Sequence, residues 1–123
     1  MHWLLEVGVV LQRADAESTV AVRVRAQLAG RLDLDWTVDR MARELAMSSA
    51  TLRRRLAAEA TTFADLLVDA RMSSALTLLQ ATAQPVADIA MSVGYESASR
   101  FAIRFRQRFG FAPSAVRQRK RVF

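Results

Sequence analysis

The stretch "SSATLRRRLAAEA", residues 48–60, sets three arginines side by side, Arg53, Arg54 and Arg55. Such a run either grips something negative or only keeps a helix surface wet. Neighbouring helical residues lie about 100° apart, so at most two of the three can address one surface, and the third is ordinary solvent-facing charge. Little else in the chain offers chemistry. There is one histidine, His2, and no cysteine. A metal site would need carboxylates alone, and none cluster suitably. Asp65, Asp69, Asp88 and Glu96 are scattered, and no histidine, cysteine or phosphate-cradling glycine run joins them. The serines lack a base. The expectation is no catalytic residue, no metal and no cofactor.

Charge placement says more. Residues 1–50 hold six arginines against seven acids, and residues 51–123 hold twelve basic groups against five, so the later part carries +7 and the earlier part −1, for a net +6. Such a field attracts polyanions. The bland alternative is a solvated face with a basic tail, "RQRKRV". A chain of 123 residues suits one domain or two small lobes. No apolar run reaches membrane-spanning length. The opening "MHWLLEVGVVL" carries Glu6 and lacks a basic flank and a clear cleavage site. The reading is a cytoplasmic protein with no membrane partner.

Helices must position those arginines. Residues 1–17 are apolar and remain open between strand, short helix and the remnant of something larger. "STVAVRVRAQLAGRL" alternates at Val20, Val22 and Val24, yet Val20, Val24 and Leu28 have helical spacing, and a helix capped by Ser18 or Thr19 is preferred. Thr37 caps a second helix, with Trp36 before it, Asp39 in the first turn and Met41 at the staple position. Ser48 or Ser49 caps a third, with Leu52 and Leu56 on its inner face. Thr62, with Asp65 three residues on, opens a longer helix whose broad apolar stripe runs from Phe63 to about Gln80, long enough for a strut between lobes. Pro85 suits the first turn of the next helix. Gly94 marks a turn, Ser97 caps a helix carrying Phe101, Phe105 and Phe109, Gly110 ends it, and a last helix after Pro113 frays beyond Arg119.

Two segments echo each other. "RMARELAMSSATLRRRL" and "DIAMSVGYESASRFAIRF" align Ala42 with Ala90 at an offset of 48 and Leu52 with Phe101 at an offset of 49. Each reads as short helix, tight turn, second helix with a polar outer face, the layout of a helix-turn-helix. Two such units in one chain can address successive major-groove segments of a duplex about 34 Å apart. A helical protein-interaction module that regulates another protein is the rival reading.

The segment "PVADIAMSVGYESASRFAIRFRQRFGFAPSAVR" resembles the DNA-binding domain of the AraC/XylS family of bacterial transcription regulators. The match falls at Ile89, Ala90, Gly94, Tyr95, Phe101, Phe105, Phe109, Gly110 and Pro113. Trp36, Ala42, Met47, Ser48, Leu52 and Leu56 fit the first unit, and "LLVDARMSSALTLL" resembles the family's linker helix. The resemblance covers roughly Ser18 to Gln118. It implies an all-α fold of seven helices, with two helix-turn-helix subdomains joined by a long linker helix. The implied divisions are an open segment 1–17, a first lobe 18–60, a linker helix 61–82, a second lobe 83–119 and a basic tail 120–123.

The resemblance also implies binding of double-stranded promoter DNA and transcription activation through RNA polymerase. Base-reading positions would be Ala50, Arg53 and Arg54 in the first unit and Ala98, Ser99, Ala102 and Ile103 in the second. Phosphate contacts would come from Ser48, Ser49, Arg55, Ser97, Arg100, Arg104, Arg106 and Arg108. The second set of reading positions is small or apolar, so the first unit is expected to supply most direct readout. Family members usually carry a further N-terminal domain for effectors or dimerisation, for which this chain has almost no room. It is a stand-alone member or a fragment, and the apolar start favours a fragment or an uncovered packing surface. The family usually has glycine where this chain has Ala60, which implies strain or a shifted turn. Arg71 is assigned to the linker helix, paired with an acid. Arg117, Arg119, Lys120 and Arg121 offer non-specific phosphate attraction or a solvated end.

Overall fold

Thr19 opens the first helix by accepting a hydrogen bond from the amide of Val22, and Gly30 ends it. That helix, α1 (Val20–Ala29), buries Val20, Ala21, Val24 and Leu28 and leaves Val22 half exposed. The helical spacing therefore prevails over the alternation. The structure, a computed structural model, describes the backbone of residues 19–122 and the side chains of residues 19–117. The open segment 1–17 and the alternative cap Ser18 lie outside the described residues.

Six more helices follow: α2 (Val38–Glu44), α3 (Ser49–Ala58), α4 (Phe63–Ala81), α5 (Val86–Ser92), α6 (Ala98–Phe109) and α7 (Pro113–Val122). The fold is all-α, with seven helices among the described residues. Thr37, Ser48, Thr62 and Ser97 each accept from the amide three residues on, which satisfies one of the free donors at a helix start. Ser48 is the cap of α3, and Ser49 is its first residue. Pro85 sits one place earlier than expected, at the cap of α5 with φ −56° and no side-chain bond. Helix α7 continues past Arg119 to Val122, a stretch built of good helix formers.

Two apolar cores form. The first holds Val24, Leu28, Trp36, Met41, Leu52 and Leu56, and the second holds Ile89, Ala90, Val93, Phe101, Phe105 and Val116. Helix α4 enters both. Phe63 and Leu66 belong to the first core, Met72, Ala75 and Leu79 to the second. At about 100° per residue these two sets point to nearly opposite sides of the helix. The broad stripe expected from the sequence is thus two stripes, and the lobes sit on opposite faces of one rod.

Polar side chains fill the seams. Arg71 does not pair with an acid. Its Nε and Nη2 donate to the Leu32 carbonyl at 3.3 and 3.2 Å, and Nη2 donates to the Leu34 carbonyl at 3.0 Å. Its guanidinium lies 5.8 Å from the centre of the Tyr95 ring. Burial pulls the Arg71 pKa down, with Tyr95 and Asp35 acting the other way, and the group stays a cation at neutral pH. On the other seam Arg108 meets Asp69 at 2.8 Å. Arg117 donates to the carbonyls of Leu79 and Thr82 at the end of α4, where the helix dipole favours a cation. It thus ties α7 to α4 and is not a free basic end.

Three helices end in the same way. After α3, Thr61 N donates to Leu56 O and Ala60 N to Ala57 O, both at 3.0 Å, with Ala60 at φ 60°. The turn is not shifted. Alanine holds the left-handed conformation that glycine would take without a Cβ penalty. Ala60→Gly is therefore expected to stabilise the protein by about 0.5–1 kcal/mol, raising Tm by roughly 4 °C. A thermal melt showing a fall in Tm would contradict the strain at this position.

Candidate nucleic-acid interface

The two helix pairs are built on one plan. In the first, Met47 N donates to Ala42 O at 3.0 Å and Ala46 N to Arg43 O at 3.1 Å. In the second, Tyr95 N donates to Ala90 O at 2.9 Å and Gly94 N to Met91 O at 3.0 Å. The left-handed residues are Ala46 and Gly94, at the offset of 48 found in the sequence. Each turn delivers its second helix, α3 or α6, with a serine cap at the entrance, Ser48 or Ser97.

Helix α3 buries Leu52 and Leu56. Ala50, Arg53 and Arg54 are exposed, and by helical phase Arg54 points directly away from the core. Arg53 turns toward an apolar groove lined by Val38, Ala57, Thr61, Phe63 and Ala64. Arg55 is also exposed, on the flank. The three arginines thus diverge, as their spacing requires.

Helix α6 buries Phe101 and Phe105, with Ala102 half-buried. Ala98, Ser99 and Ile103 are exposed, and Ile103 keeps 61 % of its surface, which is unusual for a large aliphatic side chain. The offset of 49 puts Ile103 where α3 has Arg54. Arg100, Ile103, Arg104 and Gln107 line a groove that continues along Gly94, Tyr95 and Glu96. Gln107 did not stand out in the sequence, although it lies four residues beyond Ile103 and so on the same face. Its amide supplies the hydrogen-bonding capacity that the small and apolar positions lack.

The residues expected at phosphates divide. Arg55, Arg100, Arg104 and Arg106 are exposed. Arg108 is half exposed but its guanidinium is occupied by Asp69 and lies 5.2 Å from the Phe109 ring centre. Ser48 donates its hydroxyl to Thr51 Oγ1 and accepts from Thr51 N. Ser97 accepts from Arg100 N, and Ser49 donates to the Asp39 carboxylate, joining α3 to α2. Glu59, also unnoticed in the sequence, accepts from the amides of Val20 and Ala21 at 3.1 and 3.2 Å. It secures the end of α3 to the start of α1. Asp39, Glu59 and Asp69 are thus all engaged internally, while Glu96 stays exposed beside the arginines of the α6 groove. Among the described residues no cluster of side chains suits a metal ion, and no helix is long and apolar enough to cross a membrane.

Comparison with known proteins supports the same architecture. The helix-turn-helix domain family matches residues 41–119. The HTH-type transcriptional regulator GadX of Escherichia coli K12 is 32% identical over 103 residues, covering 84% of this chain and 38% of GadX. An uncharacterised HTH-type transcriptional regulator of Mycobacterium tuberculosis is 34% identical over 116 residues, covering 94% of this chain and 34% of its own length. The chain therefore spans little more than a third of these relatives. Among solved structures, a DNA-binding transcriptional dual regulator of Escherichia coli K-12 superposes with a TM-score of 0.83 at 31% identity, covering 85% of this chain and 95% of that one. The DNA-binding domain of AdpA, solved with a target DNA, gives 0.75 at 25% identity over 85% of this chain and 95% of that one.

Proposed function

Because the chain belongs to the AraC-type helix-turn-helix family of transcription regulators, we propose that it binds double-stranded promoter DNA sequence-specifically and regulates transcription, α3 and α6 entering successive major grooves. The observation that carries this reading is the repetition of one turn geometry at Ala46 and Gly94, each turn presenting a helix with exposed arginines. The rod between the lobes, 19 residues in α4, is about 28 Å long, of the order of the ~34 Å repeat of B-DNA. Arg54 and Arg53 are assigned to base edges, with Ala50 beside them. Ser99, Ile103 and Gln107 form the corresponding line on α6, where Ile103 suits a thymine methyl and Gln107 an adenine. Arg55, Arg100, Arg104 and Arg106 contact phosphates, while Arg108 serves the fold. Activation through RNA polymerase, and control by a further N-terminal domain, complete the proposal by analogy with the family.

Selection of preferred sites from a random duplex pool at near-physiological salt tests this reading. A bipartite motif with its halves about one helical turn apart is expected. Recovery of no enriched sequence would reduce the arginines to generic attraction.

A further inference from the structure

Besides sharing α4, the two lobes meet at the Gly94 turn. The Leu32 carbonyl, in the α1–α2 connection, approaches the Gly94 turn so closely that a Cβ added to Gly94 would stand 2.6 Å from that oxygen. The same Cβ would stand 2.7 Å from Arg71 Cζ and Nε. Arg71 rises from the middle of α4 into this junction. It holds the first lobe through the Leu32 and Leu34 carbonyls and the second through the Tyr95 ring. Helix α6 begins only three residues beyond Tyr95, at Ala98.

We propose that Arg71 is a positioning residue that fixes the angle between the two reading helices, and so sets which spacing of DNA half-sites the protein accepts. The proposal rests on the two-reader reading given above. Its physical basis is the planar fork of the guanidinium. Charge-assisted bonds to two carbonyls of one connection, Leu32 and Leu34, resist rotation as well as separation. A contact through α4 alone leaves bending of the helix unopposed. Arg71 does not itself line the groove beside α6 but packs against Gly94 and Tyr95 at its end, so its effect should appear in geometry before it appears in base preference.

The test uses the whole chain and duplexes carrying the bipartite site recovered by selection, with the separation of the halves altered by one and two base pairs either way. Wild type is expected to lose affinity by about tenfold for a one-base-pair change, the scale of a base-pair mismatch, because each added pair turns one half-site by roughly 35°. Arg71→Met is expected to flatten this profile toward unity while keeping the base preference of each half. Arg71→Lys keeps the charge and the aliphatic stem but lacks the fork, and is expected to fall between the two. It also keeps the test decisive if the methionine variant does not fold. A stepped wild-type profile reproduced by the folded variants would overturn the role of Arg71 alone. A flat wild-type profile would overturn the two-reader reading itself.

Discussion

Gly94→Ala is expected to destabilise the protein by about 3 kcal/mol, lowering Tm by on the order of 12–15 °C. Two costs combine. Gly94 has φ 96°, outside the conformations an alanine adopts without strain. The new methyl would also press on the Leu32 carbonyl, which is backbone, and on the Arg71 guanidinium bonded to it. Neither can withdraw without breaking the junction between the lobes. Ala60→Gly, at a turn of the same kind but without that crowding, has the opposite sign. Thermal melts of the two variants beside wild type check both. A Tm for Gly94→Ala within about 2 °C of wild type would mean that the junction is looser than the structure shows.

Arg54→Ala is expected to cost about 1–3 kcal/mol on the preferred site, roughly 5- to 150-fold in affinity, and to relax the preference at one base position. The reason is placement: Arg54 is exposed and points away from Leu52 and Leu56 at the crest of α3, open to a groove partner. On unrelated duplex the loss should be small. Arg104→Ala serves as contrast, since a phosphate contact weakens all sequences alike and lowers the salt slope by about 0.9. Titrations on cognate and unrelated duplexes at several salt concentrations separate the two. An equal loss for Arg54→Ala on both duplexes would remove it from base reading.

What the sequence made legible was local. Thr37, Ser48, Thr62 and Ser97 cap as their spacing indicates, since each bond spans three residues. The apolar faces of α3 and α6 follow from Leu52, Leu56, Phe101 and Phe105. What escaped was tertiary. Glu59 reaches Val20, Arg71 reaches Leu32, Arg108 reaches Asp69 and Arg117 reaches Leu79, each across 38 or 39 residues of chain. No periodicity reports such a pairing, so Arg108 reads as a phosphate contact, Arg117 as phosphate attraction or a solvated end, and Arg71 as paired with an acid rather than with two carbonyls. Gln107 and the two-sided character of α4 are different cases. Both follow from helical phase, the first from Ile103 plus four and the second from the step between Leu66 and Met72.

That two-sidedness sets a limit on how such a protein changes over time. One residue inserted in α4 between Leu66 and Met72 would swing a lobe by about 100° and advance it about 1.5 Å. One base pair inserted between half-sites turns the duplex by about 35° and advances it about 3.4 Å. Three base pairs nearly match the rotation, yet carry the site some 10 Å along. Two screws of unequal pitch are coupled here, and no small whole number of steps on one repairs a step on the other. Substitutions can accumulate along α4, whereas on the proposed two-groove reading its length is tied to the spacing of the half-sites.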